Sequence, residues 1–120
     1  MRAYLLIALS SAVGGMLRFW LGTIWGSALG AAYLGTLLVN VTGSFAIGFL
    51  AAIAPLPITR ELLMIGLLGG YTTFSTFSLQ TLELIREGRW GVAFSNVALS
   101  VCASLLAVWL GHLCGGVWKR

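Results

Sequence analysis

Apolar residues run along this chain in four long blocks, separated by short polar or glycine-containing stretches. A helix needs ~20 consecutive apolar residues to cross the hydrocarbon core of a bilayer. Four segments meet that requirement, at about 3–25, 32–54, 62–85 and 90–117. The first is interrupted only by Arg18. The second, and the Leu62–Leu82 part of the third, carry no charge. In the fourth, His112 is the only ionisable side chain besides the weakly acidic Cys102 and Cys114. The connections are short: residues 26–30, 55–61 and 86–89. Trp20, Trp25, Tyr33, Trp90 and Trp118 fall near segment ends, where an interfacial aromatic belt sits. The pattern predicts an all-α membrane protein, with residues 1–120 forming one domain of four transmembrane helices.

Composition removes the soluble alternative. Hydrophobic residues make up 59% of the chain and charged residues 8%, against roughly a quarter charged in soluble domains. The lipid bilayer is therefore the expected solvent. The net charge of +4 would suggest nucleic acid in a soluble chain. Here the basic residues sit mostly at segment ends, so they read as membrane anchors and no nucleic-acid partner is expected. Cys102 and Cys114 lie twelve apart in one segment, beyond disulfide reach, with no neighbouring ligand cluster. The first segment has a weak cleavage pattern at Ala8-Leu9-Ser10, but it runs well past a signal-peptide core and reads as a retained span. Four spans put both termini and the 55–61 loop on one side, with Arg2, Arg60, Lys119 and Arg120. Arg86 and Arg89 lie on the other side, with Arg18 leaning toward it. So slight a bias permits insertion in both orientations, and hence a dual-topology, antiparallel dimer.

Polar residues inside the spans carry the candidate chemistry. Thr36, Asn40 and Ser44 recur every four residues in the second span, and Asn96, Ser100 and Ser104 repeat that spacing in the fourth. Four-residue spacing places each set on one helix face. Two such stripes can line a hydrated path, or their hydroxyls can bond back to the helix and glue helices together. Asn40 is the hardest to satisfy in that second way. Glycines at small-xxx-small spacing, such as Gly26 with Gly30 and Gly111 with Gly115, speak for close helix packing rather than chemistry.

The third span contains Gly69-Gly70-Tyr71-Thr72-Thr73-Phe74-Ser75-Thr76-Phe77-Ser78, a poor helix interior. A break near mid-membrane would free backbone groups, which is tolerated only inside protein or beside an aqueous cavity. Broken helices at that depth commonly hold ions. Phe74 and Phe77 are three apart and share a face if helix resumes. Their positive ring edges suit an anion, although paired phenylalanines are also ordinary core packing. Glu61, Glu83 and Glu87 all lie at or near span ends, so a mid-membrane proton relay is missing. No catalytic set can be assembled, and an enzyme is not expected. Arg18 either anchors the first helix at its end or lines a wet, anion-attracting vestibule.

Gly35-Thr36-Leu37-Leu38-Val39-Asn40, the Gly69–Ser78 string, Gly14-Gly15-Met16-Leu17-Arg18-Phe19 and Arg86-Glu87-Gly88-Arg89 together resemble the CrcB/Fluc fluoride channel family over nearly the whole chain. The resemblance implies an antiparallel homodimer with two pores for fluoride ion. Phe74 and Phe77 would contact the ion through ring edges, and Asn40 would donate hydrogen bonds to it. Thr36 and Ser104 would belong to a polar track, with the hydroxyls of Ser75 and Thr76 beside them, and Arg18 would lie at a vestibule. A structural sodium ion at the dimer centre would be held by backbone carbonyls of Gly69 and Thr72. Two positions depart from many relatives: Gln80 stands where they have Glu, and Val108 where they have Thr. The implied activity is passive fluoride efflux across the cell membrane of a microbe. A proton-coupled drug exporter of similar size would need a first-span carboxylate, which is absent. An accessory subunit would leave the broken span and polar stripes without purpose.

Overall fold

Residues 2–29 contain no proline and no run of charges, and they form one continuous helix, α1 (Arg2–Leu29). In the computed structural model, residues 1–53 and 56–119 are described. Ala54 at the end of the second apolar segment, Pro55 in the connection after it, and Arg120 in the charge count lie outside them. α2 (Ala32–Ile53) follows α1 directly. The third span, Pro57–Arg86, is composite. It comprises α3 (Pro57–Thr59), a π-helical stretch (Arg60–Leu68), α4 (Gly69–Tyr71) and, after a break, α5 (Ser75–Arg86). α6 (Trp90–Trp118) completes the chain. All four spans are long and apolar enough to cross a membrane, making this a multi-pass integral membrane protein.

Two expectations change. The 26–30 stretch is not a connection, because α1 runs through it to Leu29. Gly26 is buried, and a Cβ there would press on Ala32 at 3.2 Å, so this glycine serves the α1–α2 approach rather than a turn. The turn is made by Gly30 at φ 76°, with its amide donating to the Ser27 carbonyl and that of Ala31 to Gly26. Helix is thus ended by a left-handed residue and two bonds from connector amides to carbonyls of the last turn, and the connector shrinks to residues 30 and 31. The third helix likewise begins at Pro57, before Glu61. Proline at the first helical position loses no hydrogen bond and presets φ.

Helix contacts are made by backbone meeting backbone. A Cβ on Gly48 would overlap the Val108 carbonyl, and one on Gly111 would overlap the Phe45 carbonyl, which joins α2 to α6. On the other side, Gly14 abuts the Leu67 carbonyl and Gly70 abuts Ser11, which joins α1 to the third span. Lipid is as apolar as leucine, so these contacts rest on dispersion and close approach rather than on water exclusion. The small core comprises Val39, Leu68 and Tyr71, with Leu17, Leu21 and Trp25 packed against it. Large apolar side chains such as Tyr4, Phe19 and Trp118 point outward, as a lipid-facing surface requires.

Candidate functional site

The break falls at Thr72–Phe74, just downstream of the glycine pair that the sequence places at its start. Gly69, Gly70 and Tyr71 are still helical, and Thr72 turns extended at φ −83°, ψ 155°. Gly70 supplies closeness to Ser11, while the interruption itself is fixed from α2. Asn40 donates its Nδ2–H to the Thr73 carbonyl at 2.8 Å and accepts the Thr73 amide on Oδ1 at 2.8 Å. That pair satisfies both backbone groups of a residue that helix can no longer serve. Leaving one such group unpaired in hydrocarbon costs several kcal/mol, roughly 4–8 on a water-to-alkane scale.

Thr73 then starts the next helix. Its Oγ1 accepts the Thr76 amide at 3.2 Å and donates to the Thr76 hydroxyl at 3.1 Å. The N-terminal end of α5, where helix amides converge and favour negative charge, lies directly at the two phenylalanines. Their ring centroids are 5.2 Å apart with planes at 54°, a tilted pair that presents edges as well as faces. Phe77 is buried, whereas Phe74 is 76% exposed.

A cleft of about 400 Å³ gathers much of the expected set. α2 contributes Asn40 and Ser44, α6 contributes Ser100 and Ser104, and the broken span contributes Gly69, Thr72, Thr73, Phe74 and Phe77. The two polar stripes therefore do face each other, but only over these members. Thr36 is buried, bonds back to the Ala32 carbonyl at 3.4 Å and lines a different cleft. Asn96 is buried too and donates to Thr81 Oγ1 on α5 at 3.0 Å. The reason is helical drift: each four-residue step rotates by about 40°, so three residues cannot keep one azimuth.

The second cleft, of about 750 Å³, holds Arg18, Thr36, Thr73, Thr76 and Gln80. Arg18 is the one charged side chain among its described lining residues. Its Nη1 also lies 3.4 Å from the Thr72 carbonyl, so its guanidinium faces the break as well as the cleft. The Gln80 Oε1 is buried there without a hydrogen-bond partner among the described residues. Ser75, also expected among the pore hydroxyls, is exposed and lines neither cleft; its Oγ lies 3.3 Å from Thr73 Oγ1.

Thr73, which borders both clefts, is not singled out by the sequence pattern. The need of Asn40 for a partner at the break is the signal that points to it. Ser100 stands out in the sequence only as a stripe member, yet its Oγ is buried with no partner among the described residues. Carbonyl oxygens are the donor class for a hard cation. Gly69 fits that role, because the Thr73 amide that would close its helical turn has gone to Asn40. Thr72 shares its carbonyl with Arg18.

Relatives match this chain over nearly their whole length and its own. The Paramagnetospirillum magneticum protein named fluoride-specific ion channel FluC is 44% identical, with all of both chains covered. Proteins of the same name from Opitutus terrae and Methylocella silvestris are 49% and 48% identical, covering 94% and 92% of this chain and 92% and 90% of their own. Residues 5–112 match the family described as CrcB-like protein, Camphor Resistance (CrcB). With the broken third span and its asparagine tie in place, and with identity sustained along the whole length, the chain belongs to the CrcB family.

Proposed function

We propose that this chain is a fluoride-selective ion channel that lets fluoride leave the cytoplasm passively and so limits its toxicity. The observation that carries the reading is the 400 Å³ cleft, where donors from α2 and α6 face the ring pair at the start of α5. Fluoride holds its water tightly, so a path must replace that shell with donors at each step. Asn40 has two amide hydrogens and spends one on Thr73, leaving one for an ion. The Ser100 hydroxyl is uncommitted, and Ser44 and Ser104 stand beside it. Phenyl edges add weak positive potential without a deep trap, as fast conduction needs. The second cleft, with Arg18, acts as an anion-attracting vestibule whose wall includes Thr36 and Thr76. No chemical step is required of the protein.

The conducting unit is an antiparallel homodimer in the plasma membrane. A ring that touches a permeating ion does not remain 76% exposed to lipid, so the exposure of Phe74 supports a second copy. Gly69 and Thr72 carbonyls from two copies would hold the structural sodium ion between them. The test is fluoride efflux from liposomes carrying the purified protein, beside chloride-loaded controls. Rapid fluoride loss without chloride loss, cut about tenfold by Phe77→Ile as a lost aromatic contact would cut it, is expected. Correctly inserted dimers that pass no fluoride would overturn the proposal.

A further inference from the structure

The break is tied at three consecutive residues, and the first tie is a side chain that the ion pathway does not use. Thr73 is held by Asn40, and Thr72 faces Arg18. Tyr71, the last helical residue, is buried, and its hydroxyl lies 2.9 Å from Thr42 Oγ1 on α2. A threonine hydroxyl has one hydrogen. That of Thr42 is directed at the Leu38 carbonyl at 2.8 Å, with the Val39 carbonyl at 3.1 Å. Tyr71 must therefore be the donor, and Thr42 Oγ1 the acceptor. The tyrosine ring is seated as well as tethered. A Cβ on Gly43 would overlap the Thr72 methyl and come within 3.1 Å of Tyr71 Cδ1, so α2 keeps a bare position for both residues.

We propose that Tyr71 is a positioning residue for ion selection, acting through Thr42 and resting on the channel reading. Asn40, Thr42 and Gly43 lie within one turn of α2, so this turn fixes both ends of Thr72. Phe74 follows directly, and the end of the tie at Tyr71 sets where the ring pair begins. Water does not compete for a bond inside the bilayer, so the tether holds more firmly than it would at a wet surface. Small shifts of a ring edge change which halide is contacted in place of water. Tyr71→Phe keeps the ring and its seat, and removes only the donor.

The experiment uses the full chain in lipid nanodiscs and liposomes, with Tyr71→Phe, Thr42→Val and the double variant. Amide hydrogen exchange across residues 72–76 is expected to rise about fivefold in each single variant, the usual worth of one hydrogen bond, and no further in the double. The fluoride-to-chloride flux ratio is expected to fall in the same three proteins. Unchanged exchange in Tyr71→Phe overturns the tether. Raised exchange with an unchanged flux ratio overturns the role in selection and leaves a purely structural bond. Thr42→Val reaches the same contact from α2, so the tether stays testable even where one variant folds poorly. A wild-type protein that passes no fluoride sinks the channel reading instead, and the exchange data then still decide the tether.

Discussion

The α2–α6 contact and the break in the third span are both built from small and hydroxylated residues, yet they are held in opposite ways. Between α2 and α6, Gly48 and Gly111 let backbones touch, and the join rests on shape. At the break, Tyr71, Thr72 and Thr73 are each met by a polar group of a neighbouring helix. Shape-based contact tolerates no added volume but is indifferent to chemistry. Directional bonding tolerates modest volume but fails when one donor becomes an acceptor. In this molecule the α2–α6 join is held by shape alone, whereas the break adds directional bonds to its close glycine contacts.

Substitutions that violate one rule and not the other sharpen that contrast. The largest effect is expected from Gly111→Leu, because even its Cβ overlaps the Phe45 carbonyl. Overpacking of this kind costs about 1–3 kcal/mol or more, and here the obstacle is backbone that cannot rotate away. Loss of the monodisperse peak in detergent gel filtration is the expected reading; a normal peak would show that α2 and α6 can part. Asn40→Asp comes next. It is nearly isosteric, but it turns a carboxylate oxygen toward the Thr73 carbonyl where a donor stood. Leaving such groups unmatched costs about 1–3 kcal/mol, so fluoride efflux should fall roughly ten- to hundredfold while the protein still elutes normally. Efflux at the wild-type rate would sever the link between this bond and transport. Ser100→Ala is expected to be the mildest. Its hydroxyl has no partner to lose, so the melting temperature should hold or rise slightly, while efflux drops about fivefold for one donor removed from the path. A stability loss without a flux change would mean that Ser100 belongs to the scaffold.

Much of this architecture is legible in the chain. Run length and the absence of charge specify four spanning helices, and the Gly69–Ser78 string marks where one of them fails. Asn40 and the phenylalanines come together because the motif encodes both the break and the group that satisfies it. What escapes the sequence has physical causes. The π-helical stretch over Arg60–Leu68 has no sequence signature of its own. Within it Gly66 presses on Ser10 of α1, a contact invisible to local propensity. A four-residue spacing suggests straight stripes, but helical drift sends Thr36 and Asn96 to other neighbours. Glycines at 26–30 look like a loop because glycine serves turns and tight packing equally, and only the partner helix tells them apart.

The two-residue connector between α1 and α2 has a bearing on biosynthesis. When a helical pair enters the bilayer, whatever joins the helices must be carried to the far side. Here the cargo is Gly30 and Ala31, with no charge and almost nothing to dehydrate. A charged side chain at mid-bilayer would add about 2.5–3.5 kcal/mol on insertion scales. The connector therefore adds almost nothing to the cost of insertion from either face of the membrane. What orients the hairpin is then its own Arg2 and Arg18 together with the basic residues further along the chain.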